Sequence, residues 1–479
     1  MARVPYSVQH TLPLKTLTWS TIGITVVLAG LYVLLGFPPS LGAYYRSMYF
    51  HSIGIGIAAL AVYLVISAFE IEKYEPKIDF PLAVRAWVAT LFGAVGGLIY
   101  LFPSLDAALP DVGIGMFVVA FLLLADVGGA LFLELMVLPR KKEGVYEPGG
   151  GYWRRMFPFT RAKLGAYKRA GLAYWFAIST VGSAFLAGII GFFYLWVSMF
   201  GPSFLSGYLS YLGLDGGGFL AGALAPHSHE MATAILAGVV AIAVQQYGIL
   251  DTLTGIKKGV AKTGVWISIV GVVVMTVVYL ASAFANYAPP TLFAGGPGGV
   301  NGMAGDDTAM SITGLGAMVI VVPMALAKID GVKAFWRDGL RATLLTTWVA
   351  AVLVNIISGF YLEFHEDLFQ NSLFANDRAY AQVQSLSGLF VLGAAAMVLL
   401  TVDHYGVGGM SRRLIGFAMP IGLLLSVAGG LAWVFIDVSN TGLSFWTYVG
   451  GTLLIGVAAL VAAGSLYARR GSTTIQPSA

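Results

Sequence analysis

Long apolar segments separated by short polar connections make up most of this chain. A bilayer core about 30 Å thick needs roughly 20 consecutive apolar residues in a helix. Twelve segments have this length, and we number them as spans 1–12: 17–36, 48–69, 82–103, 112–138, 171–199, 226–250, 262–285, 309–327, 341–362, 382–403, 414–436 and 444–467. The pattern predicts an all-α integral membrane protein, a single polytopic domain over residues 1–479.

The composition agrees with this prediction, because only 10% of the residues are charged and 58% are hydrophobic. Soluble domains carry about 25% charged residues. The net charge of +4 is small and is concentrated in a few loops, which argues against nucleic acid as a partner. The lipid bilayer is the expected surroundings, and we expect a multi-pass protein of the cell (plasma) membrane.

Lysine and arginine residues alternate from side to side along the predicted topology. The connections after spans 4, 6, 8 and 10 are rich in them, whereas 200–225 and 287–308 contain none and 363–381 contains only Arg378. Short basic loops face the cytoplasm, so we predict that both termini are cytoplasmic. The basic loop 139–170 has two interpretations, a contact with anionic lipids or a docking surface for a cytoplasmic partner.

A short pattern recurs every four spans. Spans 2, 6 and 10 align as MYFHSIGIGIAALAV, APHSHEMATAILAGVV and YAQVQSLSGLFVLGAA, which places His51 on His229 and Gln384, and His227 on Gln382. Small residues that permit close helix packing follow each time. The alignment predicts three pseudo-repeated arcs of four helices, 17–138, 171–327 and 341–467, with a polar group near the outer end of each second helix.

With His51 on span 2 and the His227-Ser228-His229 motif, the chain resembles subunit I of the heme-copper oxidase superfamily. That resemblance implies twelve helices, cytoplasmic termini, three arcs and a haem-ligating histidine near the outer end of span 2. The chain departs from the family because its H-x-H motif lies on span 6, whereas span 10 has Gln382-Val383-Gln384. Span 7 and the segment after it contain no histidine, so a copper site is not expected.

The H-x-H motif favours two separate centres over one metal ion. Residues i and i+2 of a helix point about 200° apart, so His227 and His229 would face opposite sides of span 6. We expect one or two b-type haems, the first held by His51 and His229 and the second by His227 with His365 or an open position. The resemblance implies that Arg46 or Arg378 pairs with a haem propionate; the alternative is an ordinary interfacial arginine. Covalent haem attachment is excluded, since the chain has no cysteine.

Two other interpretations of these histidines stay open. Neutral histidine is tolerated at a polar helix entrance, and Pro226, Ser228 and Glu230 make an ordinary first turn. A zinc or copper ion bound with help from Glu230 or Met231 is the other interpretation.

Two carboxylates interrupt the apolar sequence of span 4. Asp126 and Glu134 are eight residues apart, which places them within about 80° of each other and two turns apart on one helix. An ionisable residue within the membrane is a candidate functional residue, so both are candidates for a proton relay. Alternatively, Glu134 extends towards the inner surface near Arg140, and Asp126 caps a neighbouring helix.

These observations predict a membrane b-type haem subunit of a respiratory complex with an oxidase-like fold, and an oxidoreductase if it is an enzyme. It would transfer electrons between quinol and an outer-side cytochrome or cupredoxin, together with other respiratory subunits. Two alternatives remain: a proton-coupled secondary transporter that uses Asp126, and a scaffold subunit of an oxidase-like complex that has lost its cofactors.

Overall fold

The computed structural model describes residues 11–35, 43–74, 76–102, 109–147, 160–200, 230–231, 234–235, 237–285, 392–436 and 442–468. Within these ranges all regular secondary structure is helical. The helices are α1 (Thr11–Leu34), α2 (Ala43–Ala68), α3 (Ile71–Tyr74), α4 (Pro76–Leu101), α5 (Leu109–Lys142), α6 (Arg161–Arg169), α7 (Leu172–Phe200), α8 (Ala237–Gln246), α9 (Ile249–Thr252), α10 (Gly255–Ala285), α11 (Leu392–His404), α12 (Gly409–Phe435) and α13 (Leu443–Ala468).

Eight of the described helices are long and apolar enough to cross a membrane: α1, α2, α4, α5, α7, α10, α12 and α13. They coincide with predicted spans 1–5, 7, 11 and 12, which confirms a multi-pass α-helical membrane protein. The shorter helices α8 and α11 lie within spans 6 and 10. Spans 8 and 9 lie outside the described residues, so the total of twelve spans, the arc boundaries and the side on which the termini lie remain predictions.

Neighbouring membrane helices run in opposite directions, so the helix ends that carry basic residues lie at one end of the bundle. At that end, the Trp87 indole donates to Ser20 Oγ at 2.9 Å, and the rings of Trp19 and Tyr467 pack edge to face at 5.0 Å. The Tyr174 hydroxyl at the start of α7 meets the last turns of α5. We call this the basic end, since Arg140, Lys141 and Arg412 lie there; the charge pattern predicts that it faces the cytoplasm.

The helices form a continuous series in which each packs against the next: α12, α13, α1, then α2 and α4, then α5, α7 and α10. Helix α11 contacts α2, α12 and α13, and Gln246 of α8 donates to the Leu400 carbonyl of α11 at 3.1 Å. In α2, 72% of the apolar segment is buried inside the protein, against 22–44% in the other seven long helices. Most residues of α8 and α11 are buried as well. Within the described residues, α2, α8 and α11 are therefore the central helices of the bundle.

Glycine determines how closely α12 and α13 approach each other. A Cβ atom at Gly451 would lie 2.7 Å from the Gly422 carbonyl oxygen and 2.8 Å from the Leu425 carbonyl carbon. A Cβ atom at Gly429 would likewise press on the backbone of α13, at Tyr448 and Thr447. Backbone meets backbone along this seam, as is common where small residues line a membrane helix interface.

Helix α5 runs past the predicted end of span 4 at residue 138 and continues through Pro139 to Lys142. Because proline has no N–H, the Leu135 carbonyl four residues earlier loses its helical donor. The Tyr174 hydroxyl of α7 donates to that carbonyl oxygen at 2.6 Å. The Tyr167 hydroxyl of α6 donates to the next carbonyl, that of Met136, also at 2.6 Å. Tyr174 thus compensates for the proline, and the two tyrosines together attach α6 and α7 to α5.

Part of the predicted basic loop 139–170 is therefore a folded helix packed on the bundle. Thr160 caps the start of α6, with its hydroxyl oxygen accepting from the Lys163 N–H at 3.3 Å. Gly171 adopts a φ of 83°, a left-handed conformation that suits glycine, and the chain turns there from α6 into α7.

Replacing Tyr174 with phenylalanine should cost more stability than the same change at Tyr167. The first leaves the buried Leu135 carbonyl without a donor, at about 1–3 kcal/mol. The second leaves Met136, whose carbonyl keeps the helical N–H of Arg140, so the loss should be about 1 kcal/mol. Thermal unfolding of both variants in detergent measures the difference. In a Pro139→Ala background, where Leu135 regains its donor, Tyr174→Phe should cost less; an unchanged cost would contradict the explanation.

Candidate functional site

A fully buried carboxylate lies where span 6 meets α7 and α10. The Ser183 hydroxyl of α7 donates to Glu230 Oε1 at 3.0 Å, and Glu230 is 0% exposed. The Thr276 hydroxyl of α10 lies 2.9 Å from both Ser183 Oγ and the Val272 carbonyl oxygen. Three segments of the chain thus bring their polar groups into one connected hydrogen-bond network within the apolar interior.

The network adjoins the H-x-H motif, because Glu230 directly follows His229 in the sequence. His227 and His229 lie outside the described residues, as does His365, and their assignment as haem ligands remains a prediction. A buried carboxylate is costly unless it is hydrogen-bonded or protonated. The buried carboxylate next to the motif is therefore a candidate functional residue.

His51 is the predicted haem ligand that the structure describes. It lies on α2 and is half-buried, and its ring packs edge to face with Phe121 of α5, with centroids 5.5 Å apart and planes at 82°. Phe121 in turn stacks on Phe117 at 5.9 Å. The His51 imidazole thus lies on the most buried long helix, beside two aromatic rings of α5. Arg46 lies in the first turn of α2, and its side chain is outside the described part.

The predicted ligands are not brought together within the described residues. No group of three or more histidine, aspartate or glutamate side chains that could hold a metal ion occurs among them. The described part of the chain accordingly contributes a single imidazole, that of His51, to the predicted haem site.

Asp126, the first relay candidate, forms an ion pair across the α4–α5 interface. Its carboxylate accepts from an Nη atom of Arg85, whose Nε donates to the Pro81 carbonyl at 3.2 Å. The two side chains are 52% and 35% exposed. The pair therefore lies on the outward side of the bundle, and the partner of Asp126 is a side chain within α4.

Glu134, the second candidate, lies close to the basic end. Its Oε2 is 2.7 Å from Lys141 Nζ, and the two side chains are only 13% and 7% exposed. Beside them, the almost fully buried Arg140 guanidinium lies over the rings of Tyr146 and Tyr167, at 5.7 and 6.0 Å. Glu134 does extend towards the basic end, as one interpretation predicted, but the partner is Lys141 and not Arg140.

Acidic residues neutralise part of the basic surface around α6. Arg169 binds both carboxylate oxygens of Glu143, at 2.9 and 3.0 Å, and Lys163 binds Glu147 at 3.2 Å. The hydrogen bonds from Arg169 lower the pKa of Glu143. A carboxylate with a lowered pKa stabilises the folded state above its ordinary pKa, and this contribution is lost as the pH falls through the lowered value.

Sequence reasoning missed three of these residues, Arg85, Ser183 and Thr276. Glu230 was considered only as part of an ordinary first turn or as a metal ligand, although its position beside the H-x-H motif pointed to a functional role. Arg85 was not considered, although a lone arginine near the start of an apolar span requires a partner. Ser183 and Thr276 gave no signal, because single hydroxyl residues are frequent in membrane helices.

Comparison of the chain with protein-family models, curated proteins and solved structures finds no match. The resemblance to heme-copper oxidase subunit I therefore depends on the sequence pattern, and what it implies about function belongs to a proposal.

Proposed function

We propose that the protein is a b-type haem subunit of a membrane redox complex, with a haem ligated from its central helices. One observation carries this proposal: the central helices α2, α8 and α11 lie in spans 2, 6 and 10, the three segments aligned by the repeat. Two of these segments supply the candidate ligands, His51 from span 2 and the H-x-H pair from span 6. The packing of α11 against both α2 and α8 supports an arrangement of three arcs around a common centre.

In this proposal His51 and His229 would hold one haem. His227 would hold a second haem together with His365, and Arg46 would bind a propionate. A bound haem supplies one-electron transfer, while the protein supplies ligands, orientation and a low-dielectric environment. Quinol would be the electron donor, and an outer-side cytochrome or cupredoxin the acceptor. Without counterparts of the family's copper ligands, the proposal includes no copper site.

A second candidate function is proton-coupled transport, and the buried Glu230 is the observation that favours it. A transporter needs a carboxylate that changes protonation within the membrane. Glu230 is better placed for this role than Asp126, since it is enclosed and bonded to Ser183, whereas Asp126 is paired with Arg85. A transporter of this kind needs no haem and would be colourless, whereas the proposed redox subunit would absorb visible light.

The two functions are distinguished by the oxidised-minus-reduced optical spectrum of the purified protein, with a pyridine haemochrome assay on the same sample. We expect a b-type α band that is lost or strongly reduced in His51→Ala and in His229→Ala. His404→Ala is the matched control, because His404 lies at the opposite, basic end of the central helix α11 and should leave the band intact.

A colourless protein without extractable haem would overturn the haem proposal. The transport proposal would then predict that proton uptake into vesicles containing the protein is lost in Glu230→Gln and kept in Asp126→Asn. Uptake that is equal in both variants and the unmodified protein would contradict it, and the third interpretation, a scaffold subunit without cofactors, would remain.

A further inference from the structure

A regular row of exposed residues follows the outward side of α5. Val112, Val119 and Leu122 are 47%, 37% and 52% exposed, Gly115 is exposed with open space around its Cβ position, and Asp126 ends the row. The steps of three, four, three and four residues are those of a helix that packs against another along a left-handed seam. In such a seam a single polar residue fixes the register and the partner.

The polar residue of this row lies near the middle of α5, 16 residues before Lys142. Its partner Arg85 lies nine residues after the start of α4, about 14 Å along that helix at 1.5 Å per residue. Its ion pair with Arg85 nevertheless faces outwards. A guanidinium has five N–H groups, and the described residues engage two of them, through Asp126 and Pro81. Lipid hydrocarbon tails offer no acceptor for the remaining N–H groups of Arg85. A protein surface that supplies hydrogen-bond acceptors is therefore favoured at this position.

An ion pair of this kind is complementary to itself. When two copies face each other across a twofold axis along the membrane normal, the arginine of one copy lies opposite the aspartate of the other. The same patch then serves both subunits, as in any isologous interface. The two pairs together form a closed network of four alternating charges, in which each carboxylate accepts from two guanidinium groups.

We propose that the outward face of α4 and α5 is an interface between two copies of this chain, centred on Arg85 and Asp126. Val119 and Leu122 pack against the opposite copy, and Asp126 sets the register. The inference is independent of the haem proposal, because it uses neither the H-x-H motif nor the Glu230 network.

The absence of cysteine in the chain permits a direct test in the native membrane. Leu122→Cys in the full chain is treated with a short, membrane-permeant bismaleimide, and the mass of the product is read on a denaturing gel. We expect a covalent dimer of the chain. Val270→Cys is the matched control, because Val270 on α10 is 50% exposed and faces outwards on a different side of the bundle; it should stay monomeric.

Two further variants, each carrying Leu122→Cys, test the role of the charges. Asp126→Asn should weaken the dimer roughly tenfold, since it alters two equivalent contacts and polar contacts between membrane helices contribute about 0.7 kcal/mol each. The double reversal Arg85→Asp with Asp126→Arg keeps a pair that is complementary to itself and should restore the yield. A yield at position 122 no higher than at position 270, or a crosslink to a protein of different mass, would overturn the proposal.

Discussion

Gly451→Ala should destabilise the protein by about 1–3 kcal/mol, although it adds one methyl group to the middle of a helix. The new Cβ would lie against the backbone of α12, close to the Ser426 nitrogen and 2.7 Å from the Gly422 carbonyl oxygen. A flexible side chain would move aside, but a helix backbone does not. Overpacking of this kind forces the elements apart and costs about 1–3 kcal/mol, occasionally more.

The neighbouring residue supplies the control. A Cβ at Gly450 meets nothing within 4 Å, so Gly450→Ala should stabilise the protein by about 0.5–1 kcal/mol through the better helix propensity of alanine. The measurement is the apparent unfolding temperature in detergent, followed by tryptophan fluorescence. Opposite signs for adjacent Gly→Ala changes are expected; equal shifts would show that the α12–α13 contact is looser than described.

Lys141→Met should destabilise the protein by about 3–5 kcal/mol. This lysine and Glu134 are both largely buried, with Nζ and Oε2 2.7 Å apart. Removing the ammonium leaves the Glu134 carboxylate without its counter-ion in a low-dielectric environment, and breaking one side of a buried pair costs about 3–5 kcal/mol. Unfolding of the purified protein in detergent at neutral pH is the measurement.

Adding Glu134→Gln to Lys141→Met should recover most of that loss, because it removes the carboxylate that Lys141→Met leaves without its ion-pair partner. The exposed pair of Lys73 and Glu70, with side chains 58% and 45% exposed, provides the comparison. Lys73→Met should cost less than about 1 kcal/mol. If Lys141→Met costs no more than Lys73→Met, water reaches the Glu134 carboxylate and the pair is not a buried one.

The hydrophobic pattern predicted the membrane helices well, since a bilayer imposes their length directly. At span 4 the helix extends four residues past the predicted end at residue 138, through Pro139. It continues because the Tyr174 hydroxyl donates to the Leu135 carbonyl, which the proline leaves without its helical donor. A helix-breaking residue is tolerated in a membrane protein when neighbouring helices satisfy its freed backbone groups, and such a partner is not visible in the local sequence.

The partners of the charged residues also could not be predicted from the local sequence. Helical periodicity placed Asp126 and Glu134 on similar faces of one helix, but it does not say which helix lies opposite. The structure gives them different partners, Arg85 from α4 and Lys141 from the same helix. For Glu230 the local sequence did not indicate its hydrogen-bond network, because Ser183 and Thr276 lie far from it in the chain. Candidate residues were therefore easier to predict than their roles.

The contact between α1 and α13 affects how the protein is made. These helices lie near opposite ends of the described chain, yet they pack along each other, with Trp19 against Tyr467. During synthesis α1 enters the membrane long before α13 exists, so one of its faces stays exposed to lipid or to assembly factors until translation is nearly complete. Cellular quality control should thus recognise chains truncated before α13 through this uncovered face of α1.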